Sequence, residues 1–391
     1  MKRTLRDLAN LKGKVVLLRV DFNVPIDDGG KIIDTTRIDN ELPTIQYLVD
    51  KKAKVVLISH LGRPEGYDVR KSLWPISIIL SKKLKCGVTF CNQVLGHEVE
   101  ERIKMLPEGG VLLLENIRFF KEEEECDMKF ARSLASLGDI FVNDAFGVAH
   151  RKHASNYGLA RLLPNAIGLL MERELNALNK ILENPKRPFV AVLGGAKVET
   201  KTKILEKFIE RADSILIGGA MAYTFLYAQG ISIGQSIVYG KSLSIAKDIL
   251  DKAKDEGKKI ILPVDHVCMH SVNKKIEVVD KLKGDMVGFD IGPKTIKLFG
   301  QEIAKAGEIF WNGPMGMYEN NNYREGTKRI AELIAKSKAY TSVGGGDTVA
   351  TVNLFGLADK FDYISTGGGA TMKYLEDGTL PAIEVIQEKI R

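Results

Sequence analysis

Short apolar runs recur along the chain with longer mixed segments between them. In the first half they are Lys14 to Val20, Lys54 to Ser59, Val111 to Leu114 and Ile140 to Val142. A second series follows Pro185 and Pro188: Phe189 to Leu193, Ser214 to Ile217, Lys259 to Leu262, Glu308 to Trp311, Ala339 to Val343 and Asp362 to Ser365. Runs of this kind, separated by helix-like segments, predict parallel strands joined by right-handed helical crossovers. The expected fold class is α/β, with two doubly wound (Rossmann-like) parallel-sheet domains. From Leu169 to Leu182 the period becomes helical, with Leu170, Arg173, Glu174, Ala177, Leu178 and Ile181 in phase before Asn184-Pro185. A hinge helix over 169–184 is therefore expected to join a domain of residues 1–168 to one of residues 185–378.

A length of 391 residues suits two domains, and 45% hydrophobic with 27% charged residues suits a chain with a sizeable core. No apolar run approaches the roughly 18–20 residues that span a bilayer, and Val15 to Leu18 is too short for a signal-peptide core. Cys86, Cys91, Cys126 and Cys268 are too few for a disulfide framework and lack CxxC spacing, so buried free thiols and a cytoplasmic location are expected. The net charge of +7 comes with no basic arm, so no nucleic-acid partner and no membrane partner is expected. The cations are unevenly typed, because 11 of the 17 arginines precede residue 166 and lysines dominate afterwards. Arg grips carboxylate and phosphate bidentately whereas Lys acts as a point charge, so the halves are suited to different anions. The acidic run Glu122 to Glu125 reads as a solvated loop or helix start, ahead of a cation site.

In open α/β sheets ligands collect at the carboxyl ends of the strands. Here those ends are polar: Arg19-Val20-Asp21-Phe22-Asn23-Val24-Pro25, Ser59-His60-Leu61-Gly62-Arg63-Pro64, Glu115-Asn116-Ile117-Arg118, and Asn143-Asp144-Ala145-Phe146-Gly147 followed by His150-Arg151. With Arg37 they bring Arg63, Arg118, Arg151 and His60 toward one site, a set suited to a small, multiply charged carboxylate or phosphate.

The strand ends of the second half are rich in glycine: Gly194-Gly195-Ala196-Lys197, Gly218-Gly219-Ala220, Asn312-Gly313-Pro314-Met315-Gly316, Gly344-Gly345-Gly346-Asp347-Thr348 and Gly367-Gly368-Gly369-Ala370-Thr371. Glycine lets backbone amides approach phosphate at a helix N-terminus, so five such turns indicate a nucleotide site. Lys197 and Lys201, four apart at the start of a predicted helix, would share one face, and Asp347 has the chemistry of a Mg²⁺ ligand. No GxGxxG occurs, and Gly234 to Ser242 has one residue too many for a P-loop. His266, Cys268 and His270 alternate at strand spacing, leaving a soft-metal site or an ordinary polar strand end open.

Taken together and in this order, these motifs, with Trp311-Asn312-Gly313-Pro314 and Thr366-Gly367-Gly368-Gly369-Ala370, closely resemble the phosphoglycerate kinase family across essentially the whole chain. The resemblance implies an N-terminal domain for 3-phosphoglycerate, a C-terminal domain for the magnesium nucleotide, a cleft that closes on both, and residues 379–391 packing back on the first domain. Asp21, Asn23, Arg37, His60, Arg63, Arg118 and Arg151 would hold phosphoglycerate. Lys197 and Lys201 would meet nucleotide phosphates, Glu319 the ribose and Asp347 the Mg²⁺, with Asn312, Gly346 and Thr348 also at the nucleotide. Gly195, Gly218, Gly219, Gly288 and Gly316 would leave room for adenine. Arg37, Lys201 and the turns at Gly345 and Gly368 would act on the transferring phosphoryl group. The implied reaction links 1,3-bisphosphoglycerate and MgADP to 3-phosphoglycerate and MgATP, in a monomer. A kinase for another acyl phosphate should alter the arginine cluster, and a non-catalytic relative should lose Lys201, Asp347 or Arg37; all are present. His266, Cys268 and His270 depart from the common family pattern, as do Thr371 and Met372-Lys373-Tyr374.

Overall fold

The computed structural model describes residues 2–27, 29–84 and 86–389. The chain divides into two compact units, residues 1–176 with 379–391, and residues 177–378.

In the first unit the six strands are β1 (Val15–Arg19), β2 (Lys54–Ile58), β3 (Val88–Phe90), β4 (Val111–Leu113), β5 (Ile140–Asn143) and β6 (Asn165–Ile167). All pair in parallel, in the order β3-β4-β2-β1-β5-β6. β1 and β2 are buried except at their first residues, as expected of strands covered on both faces. Side chains such as Val16, Leu18, Val55 and Leu57 pack with Ile38, Ile45 and Leu48 of the helix Thr36–Asp50 to form the core. The chain runs outward from β1 through β2 and later returns to place β5 on the opposite side of β1. The switch point, where ligands bind in such sheets, therefore lies between β1 and β5.

The second unit holds β7 (Phe189–Leu193), β8 (Ser214–Ile217), β9 (Lys259–Ile261), β10 (His266–His270), β11 (Ile276–Val279), β12 (Met286–Ile291), β13 (Glu308–Asn312), β14 (Tyr340–Val343) and β15 (Tyr363–Ile364). Six of them form a parallel sheet ordered β15-β14-β13-β7-β8-β9, with its switch point between β7 and β13. The expected α/β architecture of two parallel sheets is present. The three remaining strands make a separate antiparallel sheet, β11-β10-β12.

That small sheet, with β3 and β6, goes beyond the predicted strands. β3 (Val88-Thr89-Phe90) and β6 (Asn165-Ala166-Ile167) each hold a polar residue among three, so neither stands out as an apolar run. In β10, His266 and Cys268 are buried, while His270 bonds Glu277 through Nε2 at 2.7 Å and Asp285 through Nδ1 at 2.9 Å. This is an ordinary polar strand, and the described residues contain no group of three or more His, Cys, Asp or Glu placed to hold a metal. The helix Leu169–Glu183 follows the predicted periodicity, and the division between units falls inside it, after Asn176. The chain end makes backbone bonds within the first unit, from Ala382 N–H to the Ala149 carbonyl and from Arg3 N–H to that of Gln387. Cys91 and Cys268 are buried, and Cys86 and Cys126 are partly exposed; all four are free thiols. No described helix is long and apolar enough to cross a membrane.

Candidate active site

β1 ends at Arg19, and the turn after it carries Asp21, whose carboxylate is paired through Oδ2 with Arg37 from the start of the helix Thr36–Asp50. Asp21 Oδ1 lies 4.0 Å from His60 Nε2 and accepts the Asn23 N–H at 3.1 Å. Asn23 Oδ1 accepts the Gly62 N–H at 2.8 Å, which ties the loop after β1 to the loop after β2. Arg118 reaches the same loop, donating from Nη1 to the Gly62 carbonyl at 2.8 Å. Glu124 Oε1 stands 3.3 Å from Arg118 Nε and 3.8 Å from Arg151 Nη1. The structure thus links Asp21, Asn23, Arg37 and His60 with Arg118 and Arg151 at one end of the first sheet. Arg63 is exposed on the loop after β2.

The charges in this cluster are set by what lies behind it. Arg19 is fully buried and donates from Nε to Ser155 Oγ at 2.7 Å and from Nη2 to His60 Nδ1 at 3.1 Å. Burial, and then the charges of Arg19, Arg118 and Arg37, hold His60 well below its ordinary pKa. His60 is therefore neutral, and because Nδ1 accepts from an obligate donor its proton sits on Nε2, toward Asp21. Burial, with Arg19 next in size, pushes Arg118 down to about 10, which leaves it charged at neutral pH.

Arg19 is itself held by Glu123, 3.8 Å away and equally buried, which also accepts from the Ser155 hydroxyl at 2.6 Å. The run Glu122 to Glu125 does start a helix, as read, but Glu123 departs from the solvated part of that reading. The helix Lys121–Glu124 turns Glu123 inward, where His153 and Arg19 offset the burial that would otherwise raise its pKa. Gly147 is a further residue that sequence reasoning misses. A Cβ there would stand 2.4 Å from Asp21 Oδ2, so only glycine leaves the Asp21–Arg37 pair its place. A basic last residue in a buried strand is the signal that marks Arg19; nothing in the sequence marks Glu123 or Ser155 as its partners.

In the second unit two adjoining cavities of about 340 and 290 Å³ share Gly195, Ala196, Pro314 and Asp347. The larger has an apolar lining of Tyr223, Ile237, Val287, Phe289 and Met317, with Glu319 among its polar residues. The smaller is lined by Lys197, Thr200, Lys201, Asn312, Gly345, Gly346 and Thr348. It sits at the carboxyl ends of β7 and β13, at the switch point. Half-buried Lys201 donates from Nζ to Asn312 Oδ1 and, at 3.3 Å, to the Asn312 carbonyl. Burial lowers its pKa to about 8, against the opposing pull of Asp347.

Asn312 Nδ2 donates to the Gly344 carbonyl at 2.6 Å, and Thr348 Oγ1 accepts the Gly313 N–H at 2.6 Å, so the β13 and β14 turns are locked together. Gly345, at φ +92°, opens the helix Gly346–Leu354, and a Cβ on it would meet Asn312 Nδ2 at 2.2 Å. Asp347, exposed in the first turn of that helix, faces the cavity.

Gly195, Gly219, Gly288 and Gly316 line the larger cavity, and Gly218 does not. At Gly218, Gly288 and Gly316 a Cβ would meet Met315, Tyr223 and Asp290. These three positions are small because protein packs against them. Gly368 precedes the helix Gly369–Asp377 and lines neither cavity.

A family model described as phosphoglycerate kinase matches residues 5–378. The phosphoglycerate kinase of Dictyoglomus turgidum is 49% identical over 99% of this chain and 100% of its own length. That of Pseudothermotoga lettingae is 47% identical over 99% of both. Among solved structures, phosphoglycerate kinase from Coxiella burnetii superposes with a TM-score of 0.90 at 40% identity, covering 99% of each chain. The Pyrococcus horikoshii enzyme gives a TM-score of 0.84 at 35% identity, covering 98% of each. With two parallel α/β sheets, a basic strand-end cluster on one and a glycine-lined groove on the other, this chain belongs to the phosphoglycerate kinase family.

Proposed function

We propose that this chain moves a phosphoryl group reversibly between the acyl phosphate of 1,3-bisphosphoglycerate and MgADP, with 3-phosphoglycerate held in the first unit and nucleotide in the second. The observation that carries this assignment is the groove at the β7/β13 switch point, apolar at one end and lined at the other by Lys197, Lys201, Asn312 and the turn from Gly345 to Thr348. The apolar end suits a base, with Glu319 at the ribose. The polar end suits a chain of phosphates meeting lysines and the N-terminus of the helix Gly346–Leu354.

Both acceptors, a carboxylate and a phosphate oxygen, are already nucleophilic, so the chemistry needs alignment and charge neutralisation rather than a strong general base. His60, kept neutral, serves as a hydrogen-bond donor through Nε2. Arg37, released from Asp21 by an incoming anion, and Lys201 neutralise the transferring group. Arg118 and Arg151 bind the phosphate and carboxylate charge, and exposed Arg63 supplies further positive charge. Asp347 is the residue suited to a Mg²⁺ that arrives with the nucleotide, since an accessible hard oxygen donor beside a phosphate site is what that ion accepts. Bound there, the ion would neutralise phosphate charge.

Four free thiols support a reducing, cytoplasmic setting, and a monomer is the form that the family resemblance implies. Calorimetric titration tests the division of labour. Arg37→Ala should abolish 3-phosphoglycerate binding and spare MgADP, and Asp347→Ala should do the reverse. Loss of both ligands in either folded variant would contradict it.

A further inference from the structure

Behind Asp21 lies a pair of carboxyl groups that the phosphoryl-transfer chemistry does not use. Glu41, in the helix Thr36–Asp50, and Asp144, after β5, are both fully buried. Glu41 Oε1 accepts the backbone N–H of Asp21 at 2.8 Å, and its Oε2 is buried with no N–H or hydroxyl donor to meet it. Beside it is the carboxyl of Asp144, whose charge raises Glu41 further. Two carboxyl groups brought together in a buried place cannot both ionise, so one of them keeps a proton.

The proton belongs on Glu41. Asp144 already has the partners of an anion: the Thr44 hydroxyl donates to Oδ2, and the Met171 N–H donates to Oδ1 at 2.8 Å. Thr44 Oγ1 in turn accepts the Leu169 N–H at 3.0 Å, so Asp144 and Thr44 together cap the helix Leu169–Glu183. Burial is the chief cause that raises both groups, Glu41 well above its ordinary value and Asp144 to about 6. The charged and titratable groups facing the pair are Asp21 and Arg19, with Arg37 and His60 beyond Asp21.

We propose that Glu41 is a positioning residue for the phosphoglycerate site: its carboxyl, protonated and shared with Asp144, holds the Asp21 backbone so that Asp21 and Arg37 are set for substrate. This rests on the assignment of Asp21 to that site. When the shared proton leaves, two buried anions repel each other beside a third, Asp21, and the loop that Glu41 holds must move.

Two measurements test it. In the substrate-free enzyme near neutral pH, infrared difference spectra of wild type against Glu41→Gln should show a protonated carboxylic acid band lost in the variant; absence of that band overturns the shared proton whatever the substrate is. In steady-state assays with each substrate varied at saturation of the other, Glu41→Ala should raise the KM for 3-phosphoglycerate about tenfold, the factor for one lost hydrogen bond, and leave the KM for MgATP unchanged. Glu41→Gln, which keeps the acceptor and donates permanently to Asp144, should restore that KM and flatten its rise at alkaline pH. An unchanged KM in Glu41→Ala, or a Glu41→Gln profile that follows wild type, overturns the positioning role. A wild-type enzyme with the band but no turnover of 3-phosphoglycerate would instead overturn the substrate assignment.

Discussion

At the scale of single residues, two positions link geometry to activity most directly. Lys201 has a pKa near 8, below that of an ordinary lysine, because burial disfavours its charge. A bound phosphate favours the charged form, so nucleotide binding should take up a proton once the pH exceeds about 8, and affinity should fall as pH rises through that value. Calorimetry in buffers of different ionisation enthalpy at about pH 9 checks this; uptake that persists in Lys201→Ala would assign the proton elsewhere. The same variant should lose about 10²–10³-fold in kcat, the usual cost of one transition-state donor. Gly147 is the second position. Gly147→Ala would drive a methyl group against the Asp21 carboxylate, so the KM for 3-phosphoglycerate should rise about tenfold or more with that for MgATP unchanged. Equal effects on both substrates would mean general damage to the fold. His60 and Arg118 are legible in the sequence because the strand-end rule needs only an apolar run and the polar residues after it. Arg19 with Glu123, and Glu41 with Asp144, are not, since each pairing joins segments whose contact exists only after folding.

Secondary-structure elements show which local signals survive without context. Unbroken apolar runs identify the inner strands of both parallel sheets, because burial on two faces removes alternation. The small antiparallel sheet escapes that rule: β10 alternates between buried and partly exposed positions from His266 to Met269, and β11 is exposed at alternate residues. Its His266, Cys268 and His270 then look like a ligand set when they are a strand's periodicity. Asp265, just before β10, has a role that only the fold reveals. Its carboxylate accepts the N–H groups of Lys294 at 2.8 Å and Thr295 at 2.7 Å, capping the helix Pro293–Ile303 from 28 residues away in sequence. Asp265→Ala should therefore cost about 1–3 kcal/mol in urea unfolding, the range for a lost cap and a stranded donor, with the KM for 3-phosphoglycerate preserved. An unfolding midpoint equal to wild type would show the cap to be dispensable.

At the scale of the whole molecule, the two parallel sheets are wound differently. Their existence follows from the spacing of the apolar runs, but their strand orders do not. In the first sheet β4 lies between β2 and β3, whereas in the second the order runs outward from β7 on both sides. Both arrangements put a reversal of winding beside the first strand, and the polar strand ends and loops that carry Asp21 and Asn143 in one unit, and Gly194 and Asn312 in the other, meet at those reversals. That placement is why residues distant in sequence converge on two sites. A coupled assay of MgATP-dependent phosphorylation reads out the transfer of a phosphoryl group to 3-phosphoglycerate. It should be run with 3-phosphoglycerate, acetate and carbamate as acceptors beside Arg37→Ala. Turnover confined to 3-phosphoglycerate and lost in the variant is the expected result; turnover of acetate or carbamate instead, or none with any acceptor despite normal MgATP binding, would contradict it.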